Sequence, residues 1–230
     1  IFKIGETVIN PNSYVGMFVA SVDGDGGYRW HVRCSGDNVL VTSMAHAKDG
    51  SLYVAGSYAG KMGYGGPECG GFSLESAKNG PNALQRSFLL KLAPDHSVAM
   101  LEDLGLYNDF GFLNSGPRVA VADNGDVVVA SRLIAPLTVN QGGNPQLLEP
   151  LPAGGLVVLR LAAAGLATGE LDLVGGGFAG QRPELHALAM TGDSIHLAGG
   201  FSQHLCFGST VLTAASLDGF FTTLQLTPSN

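Results

Sequence analysis

The fold is indicated by a nine-residue stretch, Gly50-Ser-Leu-Tyr-Val-Ala-Gly-Ser-Tyr58, which the chain repeats twice with variations. The related stretches are Gly125-Asp-Val-Val-Val-Ala-Ser-Arg-Leu133 and Asp193-Ser-Ile-His-Leu-Ala-Gly-Gly-Phe201. Each begins with a turn-forming residue and continues into residues that favour strands. Alignment of the alanine that all three share gives spacings of 75 and 68 residues. The spacing predicts a chain built from repeats.

A second strand pattern recurs in phase with the first, and each copy is followed by residues that favour a chain reversal. Its copies are residues 18–22, 88–92, 157–161 and 222–226. Within one period the two patterns predict four strands, at residues 39–48, 52–58, 88–92 and 98–104. Short antiparallel strands in groups of about four are typical of a β-propeller blade.

The rest of each period is assigned from this repeat. Two insertions, residues 59–85 and 136–155, are predicted to be surface loops, the first because it is rich in glycine. Residues 159–173 and 184–190 have helical propensity, but the phase of the repeat favours strands in both places. We therefore predict an all-β fold of about three four-stranded antiparallel blades. The whole chain forms one propeller segment, with repeat units at residues 1–36, 37–105, 106–174 and 175–230.

Composition excludes several classes of protein. Hydrophobic residues make up 45% of the 230-residue chain, which is enough to build a packed core. The net charge is −7 and no basic run occurs, which argues against binding to nucleic acid. Because no apolar run reaches about 18 residues, no membrane span is expected.

The sequence resembles the SBBP-type bacterial β-propeller repeat. The stretches that carry this resemblance are residues 16–23, 28–30, 52–58, 119–130 and 206–213. The second repeat departs from the family pattern, since Ser131-Arg132 stands where a glycine and an aromatic residue are expected. The resemblance implies a propeller fold in an extracellular or cell-envelope protein, and it implies no catalytic residue.

Three periods are fewer than the roughly four to eight blades that close a propeller. An open arc exposes sheet faces that are built to pack on neighbours. We therefore expect the chain to be a segment of a larger propeller, completed by further blades of the same precursor or by other protein chains.

The function predicted from these features is that of a non-enzymatic scaffold or interaction module. The alternative is a glycan-binding propeller or a sialidase-type glycoside hydrolase. Such a hydrolase needs paired carboxylates and cationic groups around one axis, and the sequence has no motif that supplies them. No cofactor is expected.

Two groups of residues are candidates for binding sites. Asp23 and Asp25 alternate in a glycine-rich turn, as calcium ligands do, although a plain hairpin turn explains them as well. The glycine-rich insertion is predicted to be an interaction surface, because long loops on a rigid scaffold carry function. Its candidate residues are Tyr64, Glu68 and Phe72.

The chain has three cysteines, which allow one disulfide and one thiol, or three thiols. Cys34 follows a predicted strand and Cys69 lies in the adjoining insertion, so this pair is the favoured bridge, with Cys206 left over. A bridge would fit an exported protein, because disulfides persist in oxidising compartments.

Overall fold

The computed structural model describes residues 2–4, 6–9, 16–63, 69–76, 85–108, 116–141, 144–150, 154–162, 171–207 and 209–226. These residues form an all-β fold with antiparallel sheets, as the sequence predicts. The described part of the chain contains no helix of the length and hydropathy that a membrane span requires.

Two separate hairpins come first. Strand β1 (Phe2–Ile4) pairs with β2 (Thr7–Ile9), and β3 (Met17–Val22) pairs with β4 (Tyr28–Cys34). A four-stranded sheet follows, whose members in spatial order are β5 (Leu40–His46), β6 (Leu52–Tyr58), β9 (Gln85–Leu92) and β10 (Val98–Asn108). These are the four strands that the sequence predicts for one repeat.

The strands that follow β10 form one continuous eight-stranded sheet. Its strands are β11 (Arg118–Val121), β12 (Val127–Leu133), β13 (Leu137–Gln141), β14 (Asn144–Leu148), β15 (Gly155–Leu161), β16 (Asp172–Thr191), β17 (Ser194–Phe207) and β18 (Thr210–Gln225). The 20-residue strand β16 pairs with β15 on one side and with β17 on the other. The last two repeat units are therefore joined through a shared strand. In the described residues no sheet closes on itself.

The strand assignments that competed with helices are confirmed where the structure describes them, in β15 and β16. The prediction of two plain surface loops is wrong. The first insertion contains the hairpin of β7 (Lys61–Met62) and β8 (Leu74–Glu75), and the second contains β13 and β14. Met62 and Val139 are buried in these hairpins because each insertion packs its apolar residues on a neighbouring sheet.

Three separate hydrophobic clusters hold the strand groups together, each between consecutive groups along the chain. The first joins the β3–β4 hairpin to one face of the four-stranded sheet, and includes Met17, Val54 and Leu90. The second joins the opposite face of that sheet to β11, β12 and β15. The third joins the other face of β12 and β15 to β16, β17 and β18. Successive side chains of a strand point to opposite faces, so one run of apolar residues serves two clusters.

The strand pairs β6–β9 and β17–β18 share one packing detail. Gly56 on β6 lies opposite Phe88 on β9, and Gly199 on β17 lies opposite Phe220 on β18. In both places a Cβ atom on the glycine would come within 2.7 Å of the phenylalanine Cε1 atom. The nearest atom to each Cβ would be a backbone carbonyl oxygen on the other neighbouring strand, that of Leu40 or of Glu184. The glycines are therefore required by the close approach of that backbone as well as by the phenylalanine ring.

The second repeat differs at this point in both members of the pair. Ser131 on β12 replaces the glycine, and the residue opposite it on β15 is Val157. Both residues are buried. The serine is thus accompanied by a smaller residue than phenylalanine on the neighbouring strand.

Candidate binding groove

Four hairpin turns have the same backbone geometry, and one of them carries an unexpected residue. In each turn, the backbone N–H of the first residue donates a hydrogen bond to the carbonyl oxygen of the fifth. The N–H of the fourth residue donates to the carbonyl oxygen of the first. The fourth residue has a positive φ, which is 82° at Gly26, 88° at Gly50 and 91° at Gly125. In the β9–β10 turn this position is His96, with φ 68°. A side chain here costs about 1–2 kcal/mol relative to glycine.

The His96 ring has a specific contact. It stacks on the indole of Trp30, with 4.1 Å between ring centroids and 23° between planes. The stack joins the β9–β10 turn to β4, which belongs to a different sheet. On the same hairpin as Trp30, the Tyr28 hydroxyl lies 2.8 Å from Nδ1 of His31, which orients that imidazole.

A disulfide bonds Cys34, at the end of β4, to Cys69 in the first insertion. This is the pair that the sequence analysis favoured, and both residues are buried. Cys206 is a free thiol. The bridge holds the insertion against β4 and brings Gly70 onto β10, where a Cβ atom would lie 2.9 Å from Cβ of Val98.

These contacts form the walls of an open groove with a volume of about 360 Å³. One wall comes from β4 and the other from the β9–β10 turn, with the bridged insertion between them. The lining residues are His31, Val32, Arg33, Gly70, His96, Ser97 and Val98. The lining thus combines one guanidinium, two imidazoles and a hydroxyl with two valines.

The carboxylate of Asp95 shapes the turn next to the groove. Its Oδ1 atom accepts hydrogen bonds from the Ser97 hydroxyl at 2.6 Å and from the Ser97 backbone N–H at 3.0 Å. These bonds favour the ionised form and lower the pKa of Asp95 below its usual value, the side-chain bond having the larger effect. Ser97 is thereby held in place at the rim.

A second polar cluster lies on the four-stranded sheet. The buried Tyr58 hydroxyl donates to Oδ2 of Asp103 at 2.6 Å, and Arg86 Nε lies 2.7 Å from the same oxygen. Arg86 also donates to the Tyr107 hydroxyl at 3.2 Å and lies over its ring. Burial, together with the bond to Asp103, raises the pKa of Tyr58 well above its usual value. The cluster ties β6, β9 and β10 together.

One of the two candidate calcium ligands, Asp23, uses its carboxylate to stabilise its own turn. Asp23 Oδ1 accepts backbone N–H bonds from Asp25 at 3.0 Å and from Gly27 at 2.6 Å, so this carboxylate caps its own hairpin turn. Among the residues that the structure describes, no group of three or more His, Cys, Asp or Glu side chains is placed to hold a metal ion.

Of the predicted interaction residues, Tyr64 and Glu68 lie outside the described residues. Phe72 is 37% exposed, and its ring lies beside Gly70, 3.3 Å from where a Cβ atom would be. The insertion therefore contributes to the groove, but through the short segment next to Cys69. Sequence reasoning did not place His96 and Ser97 together in a groove with β4. The available signal was the turn alignment, which places His96 where the other turns have glycine.

A comparison of the chain with the profiles of known protein families finds no match, and a comparison with curated proteins finds none either.

Proposed function

We propose that this chain is a non-enzymatic interaction module of an extracellular or cell-envelope bacterial protein, and that it binds an acidic polypeptide segment in the groove between β4 and the β9–β10 turn. The repeat units are proposed to be propeller blades of the SBBP type. Further blades of the precursor, or other protein chains, would then cover the outer faces of the first and last units.

The observation that carries the binding proposal is the conformation of His96. Its turn would form more readily with glycine, as the three equivalent turns do. Unfavourable backbone conformations are concentrated at binding sites, where the side chain they present is needed. Here that side chain is an imidazole, stacked on Trp30 and facing the groove.

The lining indicates the class of ligand. The groove is lined by Arg33 and by the imidazoles of His31 and His96, on a chain whose net charge is −7. Guanidinium groups bind carboxylates through strong, directional hydrogen bonds. Val32 and Val98 add apolar contact area beside these donors. This combination suits a peptide that carries Asp or Glu next to an apolar side chain.

The setting outside the cytoplasm is supported by the Cys34–Cys69 bridge. Disulfides form and persist in oxidising environments, and they are rare in the cytosol. The bridge also fixes the groove before a ligand arrives, which reduces the entropy lost on binding.

The test uses immobilised short peptides that contain Asp and Glu, the same peptides with Asn and Gln, and a panel of oligosaccharides. We expect the acidic peptides to bind at least about tenfold more tightly than their amide counterparts. The variant His96→Gly should fold with similar stability but weaken this binding by about tenfold or more. His204→Ala, on the distant strand β17, is the matched control and should bind as the wild type does.

Unchanged peptide binding by His96→Gly would overturn the assignment of the groove. Retention of oligosaccharides alone would favour the glycan-binding alternative. Turnover of a glycoside substrate, abolished by replacing one carboxylate, would establish the hydrolase alternative.

A further inference from the structure

Arg118 lies where strands of successive repeat units come together. It begins β11, which pairs with β12, the strand that carries the shared alanine of its repeat. The equivalent strands of the neighbouring units are β5, which pairs with β6, and the second half of β16, which pairs with β17. Arg118 Nη1 donates to the carbonyl oxygen of Thr42 on β5 at 2.8 Å, and Nε donates to that of His186 on β16 at 3.1 Å. These bonds hold the half-buried guanidinium between the two neighbouring units.

The positive charge of Arg118 has no counterpart in the described part of the chain. There, no carboxylate forms an ion pair with it. Arg86, in contrast, lies 2.7 Å from Asp103, and Arg160 lies 2.9 Å from Asp172. Charges withdrawn from water are normally paired, because burial penalises the charged form. The two carbonyl groups on Arg118 are dipoles without net charge, so they orient the guanidinium but do not neutralise it.

The pKa values of Arg118 and Arg86 differ in direction for this reason. Burial lowers the pKa of Arg118 below its usual value. Burial acts on Arg86 in the same direction, but the hydrogen bond to Asp103 and the charge of that carboxylate outweigh it and raise the pKa of Arg86. A negative charge beside Arg118 would stabilise its charged form in the same way.

The Arg118 guanidinium keeps N–H groups that a ligand can use. Thr42 and His186 accept one bond each, from Nη1 and from Nε, so the second N–H of Nη1 and both of Nη2 remain. Adjacent N–H groups of a guanidinium match the two oxygens of a carboxylate. A singly charged ligand suits the site better than a dianion, because Glu184 on β16, whose Oε2 lies 3.5 Å from His186 Nε2, adds a negative charge to the same strand.

We propose that Arg118 anchors a binding site for the carboxylate group of a small organic acid, at the place where β5, β11 and β16 meet. The carboxylate would accept hydrogen bonds from Nη1 and Nη2 and would neutralise the guanidinium. None of these residues lines the groove beside β4, and the inference does not rest on the role proposed for that groove.

The probe is sodium acetate, titrated into the isotope-labelled full chain and followed by NMR. Ionic strength is held constant, so that screening of charges does not change. The Arg118 Nε–H signal is identified by its absence from Arg118→Lys. We expect this signal to shift saturably with acetate but not with acetamide, its neutral counterpart.

A variant and a control test the role of the guanidinium. In Arg118→Gln, acetate binding detected at the backbone amides of Thr42 and His186 should weaken by about tenfold or more. Arg29→Gln removes an exposed arginine on β4 and should respond to acetate as the wild type does.

An Arg118 signal that does not move with acetate, or that moves equally with acetamide, would overturn the proposal. A stronger response to sulfate than to acetate would also overturn it, because the site would then not select a carboxylate. The wild-type titration is sufficient even if Arg118→Gln does not fold. His96→Gly should give the same response at Arg118, so failure of the groove assignment and failure of this site give different results.

Discussion

Single residues in this chain are explained by what lies opposite them on the next strand. Gly56 and Gly199 accompany Phe88 and Phe220, whereas Ser131 accompanies a valine. At both glycines the space is limited by the phenylalanine on one neighbouring strand and by a backbone carbonyl oxygen on the other.

This pairing predicts the effect of a single methyl group. Gly56→Ala would place Cβ against the carbonyl oxygen of Leu40 and 2.7 Å from Phe88 Cε1. Overpacking of this kind should lower the free energy of unfolding by about 1–3 kcal/mol. Urea unfolding of the variant and the wild type measures this difference in free energy. Gly219→Ala is the matched control, since its nearest neighbour atom would be Gly199 O at 3.8 Å. Equal effects of the two changes would contradict the packing explanation.

The raised pKa of Tyr58 predicts a loss of stability at alkaline pH. In the unfolded chain this hydroxyl ionises near pH 10, whereas in the folded protein it stays protonated to higher pH. Stability is therefore fully present below about pH 10 and falls as pH rises above it. Tyr58→Phe should remove this part of the fall, and should lower stability at neutral pH by about 1.5–3 kcal/mol through the lost bond to Asp103. Unfolding titrations across the alkaline range measure how steeply stability falls with pH. An unchanged slope in Tyr58→Phe would refute the assignment.

At the scale of elements, the first insertion is held by a covalent bond and a buried side chain. Cys69 is bonded to Cys34 and Met62 is fully buried, so the described parts of this segment pack on the sheets beside them. The same segment forms part of the groove floor.

Removing the bridge should therefore lower the stability of the protein. Across a sequence separation of 35 residues, loss of the cross-link is expected to cost about 3–4 kcal/mol. The double variant Cys34→Ser/Cys69→Ser should melt earlier by a corresponding amount, and reduction of the wild type should give the same result. Cys206→Ser, at the free thiol, is the control and should melt as the wild type does. A double variant with wild-type stability would show that the insertion is held by packing alone.

At the scale of the whole molecule, the three clusters arrange the described residues as a series of layers, each packed on the next. The four-stranded sheet and the β12–β15 region are covered on both faces, as Leu89 and Leu90 show by belonging to different clusters. The described residues cover only one face of each outer unit.

This layered arrangement predicts a gradient of local stability. Native-state hydrogen exchange should give the highest opening free energies in β6, β9, β12 and β15, since opening them disrupts two clusters. Lower values are expected in the β3–β4 hairpin and in β18, whose opening disrupts one. Uniform opening free energies across all strands would contradict nearest-neighbour coupling and indicate a single cooperative unit.

The sequence by itself determined the all-β class, the strand positions of the repeat and the turns between them. Local propensity and a pattern repeated in phase carry that information, as residues 50–58, 125–133 and 193–201 illustrate. It also favoured the Cys34–Cys69 pair, from the neighbouring positions of a strand end and an insertion. Tertiary structure alone decided that β16 joins two repeat units and that the insertions form buried hairpins. The groove was also decided at that level, because the Trp30–His96 stack connects residues 66 positions apart on different sheets. Contacts between sheets depend on how layers face each other, and no local pattern in the chain encodes that geometry.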